Sequence, residues 1–146
     1  MSVNKAILIG NIGRDIELRH SPSGMAVAKF ALATNERRKD KEGKWQDQTE
    51  WHNIVAFGKL AEFCGQYLGK GRSIYVEGSI RTRTYDDDKG NRRYFTEIIA
   101  QTIRFVGPKP QGAETGGAGG AGGAGGAGGG GEAPEFPPEN DDDIPF

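Results

Sequence analysis

Between Gly112 and Gly131 the chain is glycine and alanine in Gly-Gly-Ala units, interrupted only by Glu114 and Thr115. Such a run has no apolar face to bury and loses the most backbone entropy if ordered. The positions between its glycines lack the proline that a collagen triple helix requires. Any packed core must come from the residues before it. As a flexible coil, the ~35 residues from Pro110 onward have an r.m.s. reach of roughly 30–35 Å. The expected organisation is a folded body over residues 1–107, a disordered glycine-rich linker over 108–139 and a terminal peptide over 140–146.

Charge divides the chain at the same place. All 19 Lys and Arg lie between Lys5 and Lys109. Up to residue 110 they face 13 acids, a net +6, whereas residues 111–146 hold 7 acids and no base, a net −7. A basic body suits a polyanionic partner. An acidic end suits a basic protein, or competes with the polyanion for the body. The single cysteine, Cys64, excludes a disulfide framework within one chain, and His20 and His52 give no zinc spacing, so neither metal nor cofactor is expected. No apolar run approaches the ~20 residues of a membrane span and no signal peptide is visible, so a soluble cytoplasmic protein is expected.

Within the body, period two dominates. Asn4 to Gly10 reads as a strand ending near Gly13, followed by turn chemistry at His20-Ser21-Pro22-Ser23-Gly24. Met25 to Thr34 is a second strand. The charged stretch Glu36 to Asp47 reads as a long exposed hairpin connection, and Thr49 to Phe57 as strand three. The period then changes: Leu60, Phe63, Cys64, Tyr67 and Leu68 fall at i, i+3, i+4, i+7 and i+8, a helical apolar stripe closed by Gly69 and Gly71. Strands resume at Ser73 to Tyr85 and Arg92 to Phe105, with Gly78 a candidate bulge. The order β-β-β-α-β-β predicts an all-β, five-stranded OB-fold barrel, with its helix between strands three and four and a disordered C-terminal tail.

Trp51 and Phe57 are six apart on strand three and share a face with Asn53 and Val55. Asn53 argues that this face meets solvent, and His52, Ile54 and Ala56 that the other turns inward. Arg81, Arg83 and Tyr85 share a face of strand four, and Trp45 lies near the charged hairpin among Lys39, Lys41 and Lys44. Exposed aromatics beside cations suit sequence-tolerant single-strand binding, because every base has a π-face and cations track phosphates. The plainer alternatives are a core tryptophan and a solvated charged face. His52 has no second group spaced for acid/base catalysis. Asp86-Asp87-Asp88 lacks the further ligands of a calcium loop. No enzyme is expected.

Longer motifs narrow the reading. Val3-Asn4-Lys5-Ala6-Ile7-Leu8-Ile9-Gly10-Asn11-Ile12-Gly13, Gln48-Thr49-Glu50-Trp51-His52, Phe57-Gly58-Lys59-Leu60-Ala61-Glu62, Val76-Glu77-Gly78 and Arg81-Thr82-Arg83 closely resemble the bacterial single-stranded DNA-binding proteins. The resemblance covers residues 1 to about 107 and resumes at Asp141-Asp142-Asp143-Ile144-Pro145-Phe146. It implies an OB-fold homotetramer, cytoplasmic and nucleoid-associated, that coats single-stranded DNA during replication, recombination and repair. It implies base stacking by Trp51, Phe57 and Tyr85, the last a Trp in the best-known members. Those members carry another stacking Trp near Arg38. Here Trp45, a few residues later on the returning arm, is the candidate. Lys5, Lys59, Lys70, Arg81 and Arg83 match basic positions near the DNA path, and His52 a subunit contact. An RNA-binding OB-fold chaperone of the cold-shock type is the alternative.

The terminal peptide has a logic of its own. Asp141, Asp142, Asp143 and the α-carboxylate flank Ile144 and Phe146, with Pro145 restricting the backbone between them. These residues suit a shallow apolar pocket ringed by Lys and Arg on another protein. The resemblance implies docking of genome-maintenance enzymes there.

Overall fold

Seven elements follow one another in the computed structural model, which describes residues 1–107: β1 (Ala6–Ile12), β2 (Glu17–His20), β3 (Ala26–Lys39), β4 (Trp45–Phe57), α1 (Gly58–Tyr67), β5 (Ser73–Asp86) and β6 (Arg92–Phe105). The linker and terminal peptide assigned to 108–146 lie outside the described residues. Strand order is β1-β5-β6-β4-β3-β2. A further β1–β3 pairing, Asn11 to Ala33 and Ile12 to Leu32, closes five strands into a barrel. The expected OB-type five-stranded barrel with one helix is what forms.

The sixth strand, β2, is an addition at the edge of β3. Its four residues are all exposed and hold one apolar side chain, Leu18, so no alternation announced it. The larger correction concerns the charged stretch Glu36 to Asp47. Most of it is strand: β3 runs on to Lys39 and β4 begins at Trp45, leaving a turn over residues 40–44. These extensions are exposed on both faces. A two-sided polar ribbon has no hydrophobic period to read, and cross-strand pairing holds it instead.

Inward residues of β1, β3, β4, β5 and β6 fill the barrel. Phe30, Leu32, Ile54, Ile74, Val76 and Ile12 are almost wholly buried. At Gly78 the register with β6 slips, Glu77 facing Thr102 and Gly78 facing Ala100, the bulge expected there. A Cβ at Gly78 would overlap the Ile99 backbone, so only glycine lets the strands approach at this bend. Helix α1 crosses one end of the barrel and buries Ala61 and Cys64, with Leu68 just beyond it. Burial pushes the Cys64 thiol up to about 12, so this group packs rather than reacts. Tyr67, expected on the buried stripe, is exposed. Ala61, small enough to sit against the strands, takes the centre instead.

Candidate nucleic-acid interface

Because β4 is one continuous strand from Trp45 to Phe57, Trp45, Trp51 and Phe57 all share its side-chain parity. Six residues of strand put successive aromatics about 20 Å apart. Trp51 and Phe57 are half-buried, while Trp45 is 63% exposed on the returning arm of the ribbon. Lys39 lies opposite Trp45 in the ladder, its Nζ 5.9 Å from the ring centroid. The Trp51 ring lies over Gly13, where a Cβ would overlap it. Any side chain at Gly13 would displace the ring.

Between Trp51 and Phe57 the face is not open as the sequence suggested. Asn53 is 9% and Val55 2% exposed. β4 is flanked by β3 and by parallel β6, which sets Asn53 level with Ala31 and Glu97 and Val55 level with Ile99. The two aromatics therefore stand at the ends of a covered stretch. Asn53 donates from Nδ2 to the Thr96 carbonyl at 3.3 Å, and its buried Oδ1 finds no donor among the described residues.

Register carries the surface on to β5. Arg81 lies opposite Glu97, and Arg83 opposite Phe95. Arg83 Nη2 donates to Glu97 Oε2 at 3.4 Å, its Nε is 3.3 Å from Oε1, and its guanidinium lies 5.5 Å from the Phe95 ring centroid. With its side chain only 18% exposed, Arg83 braces this face as well as charging it. Half-buried Arg81 is the more available cation. Phe95 and Glu97 were missed as site residues, although Arg93, Phe95 and Glu97 alternate in sequence and parity alone would have grouped them. Tyr85 stands further out, opposite Arg93.

The other cations are dispersed. Lys5 forms an ion pair with Glu77, which raises its pKa through a hydrogen bond and the carboxylate's charge. Lys59 is exposed on the first turn of α1, and Lys70 is exposed beyond its far end. The structure thus sets Arg81 level with Asn53, between Trp51 and Phe57, across β5, β6 and β4, with Arg83 tied to the same Glu97. Phe57, Trp45 and Tyr85 lie at extremities, and Lys5 and Lys70 elsewhere.

His52 lies on the other face of β4, half-buried, its Nε2 2.9 Å from Thr34 Oγ1. Burial lowers its pKa, with Glu50 opposing. It lines a recess of about 600 Å³ with Ile7 and Ile9 of β1, each 59% exposed.

Three comparisons bear on this surface. The Single-strand binding protein family matches residues 3–106. A Chlorobaculum tepidum relative, "Single-stranded DNA-binding protein 1", is 49% identical over 117 residues, spanning 80% of this chain and 72% of its own. A solved structure titled "Plasmodium falciparum SSB complex with ssDNA" superposes with a TM-score of 0.68 at 34% identity, covering 73% of this chain and 97% of that one.

Proposed function

The chain belongs to the single-strand binding protein family, and on that premise we propose that its body coats single-stranded DNA without strong sequence preference. The observation that carries the reading is the line of three aromatics on one strand, with Arg81 level with Asn53 between Trp51 and Phe57 and Arg83 tied to the adjoining Glu97. Stacking is indifferent to base identity and contributes about 1–3 kcal/mol per base. Trp51→Ala and Phe57→Ala should therefore each weaken poly-dT binding by about 1–3 kcal/mol. If both variants bind poly-dT like the wild type at matched salt, the stacking face is wrongly assigned. Equal affinity for poly-U would favour the RNA-chaperone alternative.

We assign Tyr85 and Trp45 to stacking at the tips of the two arms, and Lys5, Lys59, Lys70, Arg81 and Arg83 to phosphates. The role is non-enzymatic, in DNA replication, recombination and repair, in the cytoplasm with the nucleoid. Assembly as a homotetramer is supported by exposed Ile7 and Ile9 beside His52, at a β1 edge that pairs with β5 along its length but with β3 only at Asn11 and Ile12. Asp141 to Phe146 is the proposed dock for partner proteins. Deleting it should abolish partner capture and spare DNA binding; lost DNA affinity would instead tie the peptide to the body.

A further inference from the structure

We propose that Asn4 is a positioning residue for nucleic-acid binding: its side-chain amide clamps Ile80 where β5 leaves the barrel, and so fixes Arg81 beside the Trp51–Phe57 face. The proposal rests on the reading that this chain binds single strands. It adds a residue that touches no nucleic acid and acts only through the strand it holds.

The β1–β5 ladder runs from the Asn11–Ser73 pair to the Ala6–Gly78 pair and stops there. Carried two residues further, the same register sets Asn4 opposite Ile80. The main chain makes no ladder at that point, since β1 begins at Ala6 and Met1 to Lys5 belong to no strand. The Asn4 side chain bridges the gap instead. Its Nδ2 donates to the Ile80 carbonyl at 2.8 Å, and its Oδ1 accepts from the Ile80 N–H at 2.8 Å. A carboxamide carries the same donor and acceptor as a peptide group. One side chain therefore reproduces the pair of bonds that a strand residue exchanges with its partner.

Place gives the clamp its consequence. β5 carries a bulge between Glu77 and Gly78, where strands bend. Lys5 is paired with Glu77 on one side of that bulge, and Asn4 holds Ile80 on the other. Beyond Ile80, the only strand beside β5 among the described residues is β6, out to the Asp86–Arg92 pair at the end of the arm. Asn4 is thus the last lateral hold on β5 from the β1 side.

Arg81 is the next residue, and it depends on its backbone more than Arg83 does. Arg83 is tied to Glu97 and lies against Phe95. Arg81 makes no ion pair and no side-chain hydrogen bond among the described residues. The strand beneath it therefore decides where its charge stands, level with Asn53 between Trp51 and Phe57. Asn4 and Ile80 are both exposed, so water replaces their two bonds at small cost to overall stability. What the clamp sets is direction rather than folding.

The test titrates the full chain with poly-dT over a range of salt. Single strands give a slope of about 0.7 per neutralised phosphate. Asn4→Ala and Arg81→Ala should each flatten the slope by about 0.7. The double variant should also lose about 0.7 rather than 1.4, because both changes remove one contact. Asn4→Asp keeps the acceptor but sets an oxygen against the Ile80 carbonyl, and should behave as Asn4→Ala does. Amide hydrogen exchange at Ile80 should quicken in Asn4→Ala and stay as in the wild type in Arg81→Ala. A wild-type slope in Asn4→Ala overturns the proposal, even beside a lower urea midpoint, because the residue would then serve stability alone. So does unchanged exchange at Ile80, which would mean that the clamp holds nothing. Additive losses overturn it too, since Asn4 would then touch the nucleic acid itself. Light scattering that differs from the wild type would assign the loss to assembly instead, against the proposal. A wild-type chain that does not bind poly-dT sinks the parent reading, and the positioning role falls with it whatever the Ile80 exchange shows.

Discussion

The β3–β4 and β5–β6 hairpins end in the same turn and differ in everything below it. In Asp40-Lys41-Glu42-Gly43-Lys44, the Asp40 N–H donates to the Lys44 carbonyl at 2.8 Å, and Asp40 Oδ1 accepts from the Glu42 and Lys44 amides at 2.9 and 2.8 Å. In Asp87-Asp88-Lys89-Gly90-Asn91, the Asp87 N–H donates to the Asn91 carbonyl at 2.9 Å, and its Oδ1 accepts from Lys89 and Asn91 at 3.0 and 2.8 Å. Gly43 and Gly90 take φ of 83° and 76°, the left-handed residue that three-residue hairpin loops require. Below the turns, the β3–β4 arm is exposed on both faces back to Asn35 and Glu50. The β5–β6 arm has a root, with Arg83, Phe95 and Glu97 packed together. Local chemistry thus decides where a hairpin reverses, and burial lower down decides how firmly it is held.

The largest effect should come from that root. Arg83→Ala leaves Glu97 buried without its cation, a change that costs about 3–5 kcal/mol in buried pairs. A urea midpoint reads it directly, and a loss below about 1 kcal/mol, the usual range for an exposed pair, would erase the distinction between the arms.

The turns come next and should behave alike. Gly43→Ala and Gly90→Ala each force a side chain into left-handed backbone, at about 1–2 kcal/mol. Unequal losses would mean that the arms, not the turns, set the cost. The pH dependence should match too. Backbone amides, from Lys44 and from Asn91 first, hold the Asp40 and Asp87 carboxyls below the ordinary range. Each stabilises its turn above the ordinary aspartate pKa, and that contribution is lost as pH falls through the lowered value. Carboxyl titration by NMR should find both groups below a free aspartate; a normal value for either breaks the symmetry of the turns.

The same contrast explains how far the sequence could be read. The barrel strands were legible because Ala26, Ala28 and Phe30 alternate with the more exposed Val27 and Lys29, and Ile74 and Val76 with Ser73, Tyr75 and Glu77. Gly78 marked its bulge because a strand glycine with no turn beside it needs a reason. β2 and the outer ribbon were illegible because none of their residues is buried, and a lone Leu18 against the helix makes no period, so periodicity carried no signal there. At the candidate site, parity placed Trp51, Phe57, Arg81 and Arg83 on common faces. It could not reveal that parallel pairing with β6 covers Asn53 and Val55, or that Arg83 is tied to Glu97. The first depends on a contact between strands some forty residues apart, and the second on a cross-strand register fourteen residues apart that is fixed only once the β5–β6 hairpin is paired. The ring contacts that run from Tyr67 through Phe63 and Phe105 to the Arg72 guanidinium likewise join a helix, a turn and the last strand.

The smallest expected effect belongs to the ribbon and completes the comparison. Arg37 Nε donates to Asp47 Oδ1 at 3.0 Å, with both side chains about three-quarters exposed. Arg37→Ala should therefore shift stability by about 0–1 kcal/mol, and by less in high salt. A loss near that of Arg83→Ala would show that the ribbon is stiffened by its ion pair after all. If the effect is as small as expected, Trp45 is held by strand pairing and by Lys39 alone. Stacking a base on Trp45 must then also order the ribbon, and that entropy offsets part of the gain. Trp51, already seated on Gly13, has no such offset. At matched salt, Trp45→Ala should cost less poly-dT affinity than Trp51→Ala, and the reverse order would mean that the ribbon is as preorganised as the barrel.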